Sequence, residues 1–203
     1  MVLMTRWEPN ASGRLQQAAL ELYSERGYDQ TTVTEIAKRA GLTERTFFRY
    51  FADKREVLFY GASMLHDRLV QGVSDAPGTL SPIDAVGAAL VAAAEPIEEI
   101  RHLSRRRQAV VAANPELQER ELIKLATLAD ALADALRGRG VTDPAASLAA
   151  EAGIAVFKVA FRRWVEESDD AAEETLAELI RQCLAELKAV AATPGLAISP
   201  RRE

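Results

Sequence analysis

Residues able to make and break bonds are thinly spread in this chain. His66 and His102 fall in different predicted helices, and no cysteine or carboxylate cluster frames them. Neither a metal site nor a nucleophile with its base is assembled. Cys183, the only cysteine, sits near Ile180 and Leu184, with Glu178 and Glu186 close by. That neighbourhood suits a small apolar residue better than a reactive thiolate. A paired-carboxylate enzyme stays open as an alternative, but nothing points to one, and no cofactor or metal is called for. The residues that could recognise something are concentrated instead in GLTERTFFRYFADKREV, 41–57, which carries Arg45, Arg49, Lys54 and Arg55 among Phe47, Phe48, Tyr50 and Phe51.

The charge distribution points the same way. The chain of 203 residues has a net charge of −5, yet residues 38–55 hold six cations against two anions, Glu44 and Asp53. A compact basic island on an acidic protein is the footprint of a localised polyanion contact. Apolar residues make up 48% and charged residues 27%, ordinary values for a chain with a sizeable core. A single cysteine, an opening MVLMTRWEPN without the apolar run of a signal peptide, and the lack of a long uncharged apolar stretch lead to the expectation of a cytoplasmic protein.

The elements that must position these residues read as helices throughout, about nine of them. RLQQAALELYSERGY sets Leu15, Ala18, Ala19, Leu22 and Tyr23 on one stripe, closed by Gly27. Thr32 with Glu35 forms a capping-box signature for a short helix ending at Gly41. Thr43 caps the next, ERTFFRYF, with Leu42 placed to staple onto Phe47. Asp53 with Glu56 is then read as the start of a longer helix through about Gln71, and 72–80 as a linker. Further helices are expected from Ser81 to about Glu95-Pro96, from about Ile97 to Ala113, and from Pro115 to the GRG at 138–140. In the last of these, Leu122, Leu125, Leu128, Leu132 and Leu136 form one stripe. Two more run from Asp143-Pro144 to about Glu167 and from about Asp170 to Ala191. The expected organisation is a tail (1–13), an N-terminal three-helix domain (14–60), a C-terminal helical domain (61–193) and a final tail (194–203), an all-α fold.

Two short helices joined by a tight turn, the second bearing cations, is the sequence form of a helix-turn-helix. In the second helix Phe47 and Phe51 lie four apart and belong to the core. Arg45 and Arg49 lie on another face, with Glu44 and Thr46 beside them. Arginine can bind guanine O6 and N7 with two hydrogen bonds, and the Thr46 methyl can meet a thymine methyl. Lys54 and Arg55 at a helix start oppose the local dipole, so the sequence reads them as a phosphate clamp. A solvated basic face over two core phenylalanines is the plainer alternative.

Over residues 14–60 the sequence RLQQAALELYSERGYDQTTVTEIAKRAGLTERTFFRYFADKREVL resembles the DNA-binding domain of the TetR family of transcriptional regulators. The spacing of Ala19, Tyr23, Gly27, Thr32, Ile36, Ala37, Ala40-Gly41, Phe51 and Lys54 carries the resemblance. It implies a homodimeric, all-helical repressor that binds a palindromic operator through three N-terminal helices and answers a small-molecule effector through a divergent C-terminal domain. By the same resemblance Arg45, Thr46 and Arg49 face bases, while Thr32, Thr34, Thr43, Tyr50 and Lys54 meet or flank phosphate. Phe48 stands where the family most often has tyrosine; lacking the phenolic hydroxyl, it is assigned to sugar or a base methyl.

Residues 114–167 resemble the members of that family described as binding acyl-CoA-like ligands. The ligand-lining residues this implies are Leu103, Arg106, Val110, Leu125, Leu128, Phe157 and Phe161, and the dimer-interface residues are Trp164, Leu176, Leu179, Ile180 and Leu184. The run Arg105-Arg106-Arg107 fans over about 200° of helix and cannot face one place; it either lies on solvent and the DNA-binding domain or sends one or two arginines to an anionic head group. Phe157, Phe161 and Trp164 form core, dimer interface or a pocket wall. The alternative to an effector domain is a C-terminal half that only dimerises or binds a protein partner.

Overall fold

The computed structural model describes residues 10–166 and 174–192. Among them the regular elements are all helical: α1 (Ala11–Arg26), α2 (Val33–Arg39), α3 (Glu44–Tyr50), a 3-10 turn (Glu56–Phe59), α4 (Ala62–Ser74), α5 (Pro82–Glu98), α6 (Arg101–Ala112), α7 (Pro115–Gly138), α8 (Ala145–Glu166) and α9 (Leu176–Ala192). No helix among the described residues is long and apolar enough to cross a membrane.

Two apolar clusters organise the chain. The first gathers Leu15, Leu22, Tyr23, Ile36, Phe47, Phe51 and Leu58, and closes with Val110, Val111 and Leu117 from α6 and α7. The second joins α4, α5, α7, α8 and α9 around Val86, Leu132, Ile154, Trp164 and Ile180. Helix α6 is thus shared, its C-terminal end seated in the N-terminal cluster. The helices of the second cluster approach closely where side chains vanish. A Cβ on Gly153 of α8 would collide with Val86 Cγ1 of α5.

Local chemistry sets the ends of the short helices. The Thr32 hydroxyl accepts from the Glu35 amide while the Glu35 carboxylate accepts from the Thr32 amide, a closed capping box. Thr43 caps α3 by accepting from the Thr46 amide at 3.2 Å. Helix α1 starts earlier than its apolar stripe suggests, at Ala11, because Asn10 accepts from the Gly13 amide. At the far end, Thr175 and Glu178 form the same reciprocal pair and start α9 at Leu176. The expected start near Asp170 lies outside the described residues.

Four expectations are corrected. The helix read from Asp53 to Gln71 is broken: Asp53 caps only the 3-10 turn, through the Arg55 and Glu56 amides. Gly61 at φ 86° then redirects the chain before α4, a conformation costly for any residue with a Cβ. Helix α5 runs past Pro96 to Glu98, so α6 begins at Arg101 and not near Ile97. Leu122 leaves the expected stripe of α7 and is 56% exposed. The turn at 120–124 instead presents Arg120, Glu121 and Lys124 to the N-terminal cluster, and those charges set the rotation of the helix there.

Candidate nucleic-acid interface

Helix α3 is held by one aromatic residue and exposed at the others. Phe47 is fully buried, with Phe51 5.5 Å away between ring centroids. The opposite side carries Arg45 and Arg49, both exposed, with Thr46 half-buried at its edge. The Arg49 guanidinium lies 4.9 Å over the Tyr50 ring and donates to its hydroxyl at 3.2 Å, so this arginine is extended along the face. Thr46 and Thr43 share a hydroxyl contact of 3.0 Å. Phe48 is 56% exposed beside them. Two cations, hydroxyls and an aromatic edge on one short helix match what a major groove presents: acceptors on guanine and a methyl on thymine.

The flanking residues divide. Thr32 is committed to the capping box, and Thr34 donates to the Glu44 carboxylate at 2.5 Å, tying α2 to the start of α3. Tyr50 remains 45% exposed beside Arg49. The clamp expected of Lys54 and Arg55 is not what the side chains do. The Lys54 ammonium turns inward and donates to the carbonyls of Tyr28 (2.9 Å) and Thr31 (3.1 Å). Tyr23, packed in the core, donates its hydroxyl to the Lys54 carbonyl at 2.7 Å. Burial pushes the Tyr28 phenol up to about 12. Arg55 pairs with Asp53 at 2.7 Å and Glu116 at 2.8 Å. Both cations therefore fasten the domain, because the carbonyls closing the loop between α1 and α2 and the acidic start of α7 lie within their reach.

The arginine run of α6 is resolved into three directions. Arg105 donates to the Val165 carbonyl at 2.9 Å, and Arg101 to the Trp164 carbonyl, both at the C-terminal end of α8. Cations there meet the negative end of the helix dipole. Arg106 lies near Glu25 of α1. There the Arg39 hydrogen bond is the main cause of a lowered carboxyl, and the Arg106 charge adds to it. Arg107 donates to the Leu58 carbonyl at 2.8 Å, pairs with Glu121 at 2.8 Å and stacks over Phe59. Beside it, Glu56 accepts from Arg120 and Lys124. Burial pushes the Glu56 carboxyl up, but those two cations outweigh it and hold it below the usual carboxylate range.

The ligand-lining residues inferred from resemblance are not brought together. Leu103 and Val110 pack on the N-terminal cluster, Arg106 faces α1, and Leu125, Leu128, Phe157 and Phe161 pack on the C-terminal cluster. Phe157, Phe161 and Trp164 stack with centroids 5.6 and 5.7 Å apart. An open cleft of about 510 Å³ lies elsewhere, between the end of α1 and the end of α6, lined by Tyr23, Tyr28, Arg26, Val110 and Asn114.

The residues expected at a dimer interface turn inward. Trp164, Leu176, Leu179 and Ile180 are fully buried within the chain, and Leu184 packs toward Gly87 of α5. The first four have no surface to offer a second copy, whereas Leu184 is half-buried. Sequence reasoning also missed Glu98, whose carboxylate takes the Trp164 indole N–H at 2.9 Å and the Leu176 amide at 2.8 Å. Its signal, an acid before a helix break, is too common to single out.

Comparison with known proteins agrees with this geometry. Residues 15–60 match the family described as bacterial regulatory proteins, tetR family, and residues 80–192 match the MftR C-terminal domain. A protein of Mycobacterium tuberculosis named as a mycofactocin biosynthesis transcriptional regulator, MftR, is 29% identical over 168 residues, covering 80% of this chain and 83% of its own length. TcmR of Streptomyces glaucescens is 33% identical over 96 residues, 42% of each chain. Among solved structures, FadR of Thermus thermophilus in complex with lauroyl-CoA is 23% identical, with a TM-score of 0.54 over 92% of this chain and 97% of its own. SmeT, repressor of the Stenotrophomonas maltophilia multidrug efflux pump SmeDEF, is 20% identical, with a TM-score of 0.57 over 94% and 97%. At such identities the structures speak for the fold. Taken with the exposed cationic face of α3, the match over both halves settles the family: this chain belongs to the TetR family of bacterial transcriptional regulators, with an MftR-type C-terminal domain.

Proposed function

We propose that this protein is a repressor that binds a palindromic operator as a homodimer and releases it when an amphipathic, acyl-chain-bearing molecule enters the C-terminal domain. The observation that carries the DNA half is the outward face of α3, where Arg45 and Arg49 stand exposed beside the half-buried Thr46 on a helix locked from behind by Phe47. On this reading residues 14–60 are the reading head, and 61–193 dimerise and sense.

Dimerisation uses the outer face of α8. Leu148, Ala152, Ala155 and Val159 are spaced four, three and four, and Leu148 and Val159 are 66% and 41% exposed. Two copies crossing antiparallel about a two-fold axis set the acidic end of that stripe, Glu151, against its basic end, Lys158 and Arg162. The resulting two-fold symmetry is what a palindromic operator mirrors.

The effector reading is supported by the Thermus thermophilus relative, solved with lauroyl-CoA, and by the partly buried Phe157, Phe161 and Leu125. The route from sensor to head is α6, gripped at both ends. Release requires the effector to bind the two arrangements of α6 with different affinity. Titrating lauroyl-CoA into an operator-bound sample tests this. A rising Kd for DNA is expected; an affinity that stays flat to saturation removes the effector from the reading.

A further inference from the structure

The recognition face of α3 holds one residue that its chemistry leaves unexplained. Arg45, Thr46 and Arg49 are polar; Thr46 meets the Thr43 hydroxyl, Arg49 meets the Tyr50 hydroxyl, and exposed arginines are readily hydrated. Phe48 is 56% exposed on the same short helix, next in sequence to the fully buried Phe47. Its ring is not loose: it stands edge-on to Phe47, with centroids 5.4 Å apart and planes at 80°. The anchoring ring beneath therefore fixes where the exposed one points. A supported aromatic ring at this place is poised to gain by covering an apolar group.

Few apolar groups are available to it. On the edges of the bases in the major groove, the C5 methyl of thymine is the apolar feature; the rest are hydrogen-bond donors and acceptors. Phe48 lies three residues after Arg45 and one before Arg49, so its ring travels with two side chains suited to guanine. Glu44, one turn before Phe48, is occupied by the Thr34 hydroxyl and held against α2. The ring's side of α3 is thus kept clear of a competing carboxylate. We infer that Phe48 is a specificity-determining residue that reads the C5 methyl of one thymine in each half-site, beside the guanines contacted by Arg45 and Arg49. The inference rests on the DNA-reading role given to α3.

Replacing thymine by deoxyuridine removes that methyl and leaves both Watson–Crick and groove hydrogen bonds in place. Duplexes selected from a random library by the full-length protein would be resynthesised with each thymine changed to deoxyuridine in turn, and binding read by fluorescence anisotropy. One position per half-site should weaken the wild-type protein by about threefold to tenfold, the scale of one buried methyl. The same position should be silent for Phe48→Ala and partly retained for Phe48→Leu. Phe48→Ala removes an exposed ring, and an unchanged thermal midpoint checks that it folds. Equal deoxyuridine losses in wild type and Phe48→Ala would give the methyl to another residue and overturn the assignment. Losses at no position would place Phe48 on sugar and overturn it equally. If the protein selected no duplex at all, the operator reading beneath it would fall first.

Discussion

The ammonium of Lys54 sits 4.2 Å from the centroid of the Tyr28 ring and donates to the Tyr28 carbonyl at 2.9 Å. One cation thus closes the loop between α1 and α2 from inside the domain. Lys54→Met should lower stability by about 1.5–3 kcal/mol, the range for hydrogen bonds to a charged group. It should leave the dependence of operator affinity on salt unchanged, because no phosphate contact is lost. Thermal unfolding and a salt titration check the two halves. A flattened salt slope with unchanged stability would return Lys54 to the DNA.

Arg45→Ala and Arg49→Ala should behave in the opposite way. Each should weaken operator binding by about 1–3 kcal/mol and relax preference at one base pair per half-site, with thermal stability held. Arg49 spans the Tyr50 ring, so its loss should also change the Tyr50 environment. Binding to duplexes with single base changes separates this from a phosphate contact, which would weaken all sequences alike.

Glu56 gives a pH dependence with a definite sign. Its carboxyl is held below the ordinary range by Arg120 and Lys124. A group depressed in the folded state stabilises fully above its unfolded value, about 4.3, and that contribution disappears as pH falls through the lowered folded value. Stability should therefore decline in the acid range below about pH 4.3, and Glu56→Gln should remove part of that decline. Unfolding midpoints for both proteins between neutral and acid pH are the measurement.

Gly153 is a packing prediction. A methyl there meets Val86 Cγ1 directly, so Gly153→Ala should cost about 1–3 kcal/mol through overpacking. Pairing it with Val86→Ala should recover part of the loss. An additive double mutant would mean that the two helices do not touch at this point.

Arg107 predicts a change in communication. Arg107→Met keeps a long apolar stem over Phe59 but loses the Leu58 carbonyl and Glu121. An effector coupling of the usual size, about 1–3 kcal/mol, should shrink while operator affinity without effector holds. Comparing DNA affinity with and without lauroyl-CoA in both proteins reads it.

What the sequence made legible was local. The caps at Thr32 and Thr43, the split of Phe47 from Arg45 and Arg49, and the all-α fold follow from spacing within a turn or two. The inward turn of Lys54 was not legible, because its acceptors lie 23 and 26 residues earlier. The arginine run showed that its members diverge but not where each goes, since the Val165 carbonyl is 60 residues away and Leu58 is 49. The buried Trp164 and Ile180 looked like interface because an apolar stripe is the same string of letters whether its partner is a neighbouring helix or a second copy.

The ion pairs and the hydrogen bond that join the head to the rest of the chain have partners on both sides of residue 60: Arg55 pairs with Glu116, Glu56 with Arg120 and Lys124, and Arg107 donates to the Leu58 carbonyl. The reading head is therefore not a detachable cassette. A chimera that transplants only the first 60 residues onto a related sensor would carry half of each clasp. To transmit a signal, such a graft has to bring the matching charges of 107–124 with it.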